Sequence, residues 1–273
     1  MGCLGLILYI MVGAAVGSFL NVVIDRLPEH ASLLEPPSHC PNCGRQLTPW
    51  EMIPVLSYLF LRGRCRTCGA RIPIRIWVVE VVTALLFGLL WMLEGWGLGL
   101  VLNSIYVCVL LVILVIDLEH KLILNRVILP ALVLGVVLSV VRALFGAVPS
   151  FFTAYFWPRW LAGSSVGVVA FLSQIAGAAV AFLIFWLIWL VARQGIGAGD
   201  VKLAAFCGLL TAFPGVLLAV LGSFVLGGIV GILLLITKRA SRKTAVPFAP
   251  FLVLATFVVM LMGDVLIPWY FQS

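Results

Sequence analysis

The chain has 273 residues, of which 64% are hydrophobic and 10% charged; a soluble domain is about half apolar and about a quarter charged. That composition excludes a soluble globular protein and defines an integral membrane protein. The formal net charge of +7 does not point to nucleic acid, because the basic residues lie between apolar segments, where they set topology.

The first apolar run, Leu4 to Ile24, has no basic segment before it and no obvious cleavage site. It is long enough to cross a bilayer and reads as a retained span, not a signal peptide. A polar loop, 25–76, follows. It holds Pro28, Pro36, Pro37, Pro41, Pro49, Pro54 and Pro73, so long helices are not expected there. With the first at 3–24, further apolar runs predict spans near 77–94, 98–116, 122–145, 165–192, 201–215, 216–236 and 247–267. Most reach the ~20 residues that a hydrocarbon core of ~30 Å requires. The run at 201–215 is short, and one span over 201–236 is the alternative there. The aromatic loop 146–164 is expected at the membrane interface. The expected fold is all-α and polytopic, with about eight transmembrane helices. The expected organisation is a first transmembrane helix (1–24), a small cytoplasmic loop domain (25–76) and a membrane domain (77–273).

Charge assigns the sides. With eight spans, the loop 25–76, the "EHK" turn, the stretch from Arg193 to Lys202 and "KRASRK" all emerge on one face. Every lysine and arginine except Arg142 and Arg159 falls on that face, which is therefore expected to be cytoplasmic.

The loop carries two C-x-x-C-G turns, "CPNCG" with Cys40 and Cys43, and "CRTCG" with Cys65 and Cys68, separated by 21 residues. Each turn can aim two thiolates at one tetrahedral metal, and each glycine permits the tight backbone. In a reducing compartment lasting disulfides are rare, so structural zinc is the reading preferred over a redox dithiol pair or four plain thiols. Four protein ligands leave no open position, so such a site would hold structure and not perform chemistry. His39 is expected to be solvated, and Cys3, Cys108 and Cys207 to be small buried residues.

Two acids stand at the membrane edge. Asp117 ends the apolar run "LVILVIDLEHKLILN", and Asp200 opens another within "GIGAGDVKL". The plain readings are a solvated helix-end carboxylate for Asp117 and a helix N-terminal acid for Asp200. Against them, ionisable groups at membrane depth mark functional sites, and "GAG" lets another backbone approach closely. No G-x-S-x-G or H-E-x-x-H motif competes. Two carboxylates on one face can share a proton. One then acts as base on a water while the other protonates a departing amine, which is aspartic peptide hydrolysis. Glu80, early in the second span, is expected either to position substrate or to make a structural hydrogen bond. Lys202 is expected to pair with Asp200 or lipid phosphate, and Asn21 to hydrogen-bond between helices.

These motifs resemble the type IV prepilin peptidases, membrane aspartic peptidases with a G-x-G-D motif. "GSFLNVVIDRLP", "IPVLSYLFLRGRC" with the cysteine turns, "GAGDVKL" and "VPFAPFLVLA" occur in the family's order over nearly the whole chain. The resemblance implies that Asp117 and Asp200 are catalytic and that 77–273 is the peptidase domain. It also implies that the enzyme sits in the bacterial inner membrane and cuts a basic leader from prepilins or pseudopilins at the cytoplasmic face. Many members then methylate the new N-terminus with S-adenosylmethionine, and the cysteine loop is associated with those that do. No dinucleotide-type glycine fingerprint is present, so the methyl-donor site is not placed; "LRGRC" is the segment of interest. The chain departs from the family at Leu124, where proline is usual, and at Met52, where asparagine is common. Two readings compete with the enzyme: a membrane assembly protein whose zinc loop binds a partner, and a transporter relaying protons through the two acids.

Overall fold

A computed structural model describes residues 2–146, 165–191, 197–237 and 247–272. The aromatic loop read at 146–164 falls outside them from residue 147 onward, as do Gly195 and "KRASRK". Nine helices occur among the described residues and no strand. They are α1 (Cys3–Arg26), α2 (Leu56–Phe60), α3 (Ile74–Glu94), α4 (Leu98–His120), α5 (Asn125–Phe145), α6 (Val166–Val191), α7 (Ala198–Thr211), α8 (Gly215–Ile236) and α9 (Ala249–Gln272), with a short 3-10 turn at Pro49–Met52. Seven of the nine, all but α2 and α7, are long and apolar enough to cross a membrane. The chain divides into two compact units, Met1–Val112 and Ile113–Ser273.

In the first unit α1 packs on α3 through small residues. A β-carbon on Gly13 would fall 2.7 Å from Phe87 Cβ, and one on Gly17 2.8 Å from Glu80 Cα. Without a hydrophobic force between helices in lipid, such close backbone approach supplies the attraction. Asn21 donates to the Ile76 carbonyl at 3.0 Å, the interhelical bond expected of it.

The loop between these helices folds around the cysteines. In each C-x-x-C-G turn the glycine N–H returns to the first cysteine's carbonyl: Gly44 to Cys40 at 2.8 Å and Gly69 to Cys65 at 3.0 Å. Both glycines have φ near +70°, at +68° and +69°, a conformation that a side chain resists.

In the second unit the short α7 is the core. Leu203, Ala204, Phe206, Cys207 and Leu209 are buried. Gly177 of α6 and Gly208 of α7 meet backbone to backbone, since a β-carbon on either would fall 2.4 or 2.3 Å from the other's carbonyl oxygen. With 14 residues, α7 is about 21 Å long, short of the ~30 Å core. The expected span at 201–215 is therefore a short helix enclosed by others. The alternative of one span over 201–236 is ruled out by a turn: Ala212 has φ +52°. Ser173 on α6 holds that turn, donating its hydroxyl to the Phe213 carbonyl at 2.7 Å and accepting the Phe213 N–H at its own carbonyl at 2.9 Å.

Candidate active site and metal centre

Asp117 lies in the last turn of α4. Its neighbours Leu118, Glu119, His120 and Lys121 are exposed, but Asp117 itself is only 5% exposed. It follows Leu110, Ile113 and Ile116 on a buried face. The reading of a solvated helix-end acid therefore does not apply. The buried Oδ2 has no hydrogen-bond partner, a costly state for a carboxylate that calls for a functional account.

The chain turns immediately after this acid. Lys121 adopts φ +54° while its N–H bonds the Asp117 carbonyl at 2.8 Å, and Leu124 is extended ahead of α5. The helix break thus forms without the family's usual proline at 124.

Asp200 occupies the first turn of α7, where a negative charge complements the helix dipole. Its Oδ2 accepts the Gly197 N–H at 2.9 Å. Two contacts bring this helix start to the segment that follows Asp117. Gly199 lies against Ile123, so that an added β-carbon would fall 2.8 Å from the Ile123 Cβ. Lys202 Nζ donates to Asn125 Oδ1 at 2.7 Å, not to Asp200, the one protein partner expected of it. Asp117 lies within electrostatic range of Asp200. The helix start that carries Asp200 thus meets the segment that follows Asp117, 83 positions away in sequence. The Ile123 and Asn125 contacts were not foreseen. Their only signal is their position at the end of "DLEHKLILN".

In the first unit Glu80, 5% exposed, accepts the Val55 N–H at 2.7 Å and a hydrogen bond from Ser18. It thus makes a structural hydrogen bond, one of the two roles expected of it. Val55 has φ +64°, an outlier for a β-branched residue.

The Sγ atoms of Cys40, Cys43, Cys65 and Cys68 all lie within 4.8 Å of one another. Cys40 and Cys68 stand 3.8 Å apart. Four thiolates at ~2.3 Å from a tetrahedral ion would be about 3.8 Å apart, so the cluster fits a metal of that kind. The backbone N–H groups of Cys68 and Thr67 hold the Cys65 thiol down, to about 6, so thiolate is available near neutral pH. His39 is exposed and donates to the Pro37 carbonyl at 3.1 Å; it belongs to no ligand set.

Together, fold and site define a polytopic helical membrane protein with a buried acid, Asp117, whose following segment meets the start of its core helix, and with a four-cysteine loop that could hold a metal. Comparison with known proteins agrees. Residues 11–93 match the Bacterial Peptidase A24 N-terminal domain and residues 104–232 the Type IV leader peptidase family. The chain is 34% identical to a prepilin leader peptidase/N-methyltransferase of Pseudomonas aeruginosa, over 96% of this chain and 92% of the relative. It is 32% identical to one of Bacillus subtilis, over 95% of each. A Myxococcus xanthus protein of the same name is 36% identical over 86% of this chain and 64% of its own length. No solved structure matches. The chain belongs to the type IV leader peptidase family.

Proposed function

We propose that this protein removes the basic leader of type IV prepilins or pseudopilins and then N-methylates the exposed residue. The observation that carries the cleavage is the buried, unpartnered Asp117 Oδ2 in electrostatic contact with Asp200. Two carboxylates that feel each other's charge in a buried setting do not both ionise readily, and in this reading the pair holds one proton. The ionised member takes a proton from a water, which attacks the scissile carbonyl. The protonated member delivers its proton to the leaving nitrogen.

The four cysteines hold zinc, which fixes the loop fold and has no open position for substrate. S-adenosylmethionine supplies the methyl group. Residues 25–76 form the zinc domain and 77–273 the peptidase domain. The distribution of lysine and arginine supports placing both sites on the cytoplasmic face of the bacterial inner membrane.

The test is co-expression with a prepilin carrying a basic leader and a Gly-Phe junction, followed by intact mass of the product. Leader loss with the native chain, but not with Asp117→Asn or Asp200→Asn, supports the dyad. Cleavage surviving either substitution in a folded chain overturns it.

A further inference from the structure

The segment after the first C-x-x-C turn reads as part of a cytoplasmic loop, but its contacts follow α3 inward. Three rungs set its depth. Ile72 N–H bonds the Gly63 carbonyl at 2.8 Å, just outside α3. Tyr58 packs on Trp77, with ring centroids 6.2 Å apart. Val55 N–H bonds Glu80. The segment 53–63 therefore runs antiparallel to the start of α3, and Val55 reaches the level of its seventh residue, Glu80. Because α3 has 21 residues, about 31 Å, it just spans a ~30 Å core, so its first residue lies at the boundary. Glu80 is then about 9 Å inside.

The chemistry of the segment suits that depth. Backbone inside a bilayer must have its polar groups satisfied. Pro54 has no N–H to satisfy. The N–H groups of Leu56, Ser57 and Leu59 reach the carbonyls of Pro54, Ile53 and Val55, and Glu80 takes that of Val55. Leu56, Leu59 and Phe60, spaced i, i+3, i+4 along one face of α2, are exposed, Phe60 by 81%. That face continues into an apolar groove of about 360 Å³ lined by Met11 and Ala14 of α1, Val81 and Leu85 of α3, and Ile53 and Leu56. At the boundary rung the sequence turns basic, with Arg62 and Arg64 both exposed.

We infer that Ile53–Phe60 is a re-entrant membrane segment whose groove and outer face are covered by phospholipid acyl chains, with Arg62 and Arg64 seated on anionic headgroups. Charge selects this occupant: two guanidinium groups at the boundary attract phosphate and repel a basic leader peptide. Glu80 and the strained Val55 form the deep anchor. The inference rests on membrane embedding alone and stands whether or not peptide cleavage is found.

The test places a genetically encoded fluorophore at Leu56, and in a second chain at Leu59, of the full-length protein in phospholipid nanodiscs. Arg66 serves as the aqueous reference and Leu85 as the lipid reference. Quenching by acyl-chain nitroxide comparable to that at Leu85, and several-fold above that at Arg66, supports re-entry. Quenching by aqueous iodide at the Arg66 level overturns it. Protection from both quenchers means that protein covers the face, and overturns the lipid occupant. Trace nitroxide-labelled phosphatidylglycerol should quench more than labelled phosphatidylcholine. That preference should fall about fivefold for each of Arg62→Gln and Arg64→Gln. Equal quenching by the two lipids in the native chain overturns the headgroup assignment.

Discussion

Gly199 sits so close to Ile123 that a β-carbon on it would fall 2.8 Å from the Ile123 Cβ, and this contact sets how the start of α7 meets the end of α4. The Lys202–Asn125 hydrogen bond reinforces the same junction one turn away. The site thus depends on two unobtrusive contacts as well as on its two acids.

Gly199→Ala should therefore displace Asp200 from Asp117 by a few tenths of an ångström to an ångström. Misplacement on that scale lowers turnover by up to about 10²-fold. The expected outcome is a large fall in kcat for leader cleavage, little change in thermal stability, and partial recovery in Gly199→Ala combined with Ile123→Gly, which removes the Cβ that the added methyl group meets. Full activity in the single variant would show that the junction tolerates a methyl group and that this contact does not position the dyad.

The spans were legible because length and hydropathy alone decide them, and helix ends such as Arg26, Glu94 and Phe145 fall close to where the apolar runs stop. The cysteine cluster was legible because a C-x-x-C turn fixes its own geometry. The burial of Asp117 was less so. Its neighbours Glu119, His120 and Lys121 suggest water, and only the helical phase with Leu110 and Ile113 shows that it faces inward. The partner of Lys202 and the depth of Val55 could not be read, because both depend on residues distant in sequence brought together by the fold. The positive φ at Val55 has no sequence signal at all, since a β-branched residue is the last expected there.

Glu80 provides a stability test. Glu80→Ala leaves the Val55 N–H without its acceptor at membrane depth, and an orphaned buried donor costs about 1–3 kcal/mol. Glu80→Gln retains a carbonyl acceptor and should lose much less. Thermal unfolding in detergent should rank native, Gln and Ala in that order, with exchange of the Val55 amide fastest in the Ala variant. An Ala variant as stable as the native chain would mean that solvent replaces the carboxylate and that the segment is not held at depth.

The tetrathiolate loop predicts a spectroscopic signature. Cobalt(II) exchanged for zinc should give thiolate charge-transfer bands and the intense visible absorption of a tetrahedral site, at one ion per chain. Cys40→Ser or Cys68→Ser should weaken both. Leader cleavage by the cobalt form should match that of the zinc form, because a filled coordination shell leaves no position for substrate. A change in cleavage rate with metal identity, with the loop still folded, would make the metal a participant in hydrolysis and overturn its structural role.

The last prediction concerns acid. Glu51 takes a hydrogen bond from the Arg45 side chain at 2.6 Å, and both the backbone N–H and the hydroxyl of Thr48 donate to it. Arg45 first, then Thr48, lowers its carboxyl from the usual 4.5 to about 2. A carboxylate whose folded value is depressed stabilises the fold fully above its unfolded value. It loses that contribution as pH falls from about 4.5 toward about 2. Against an acid-active protease, the native loop should resist cleavage better than Glu51→Gln at pH near 5.5, by about fivefold for a pair whose Arg45 side chain stays partly exposed. The ratio should close on one as pH approaches the folded value. Comparing the two chains at each pH cancels both the protease's own pH dependence and the protonation of the cysteine thiolates, which the two chains share. A ratio that stays constant down to the lowest pH would show that Glu51 acts through packing and not through its charge.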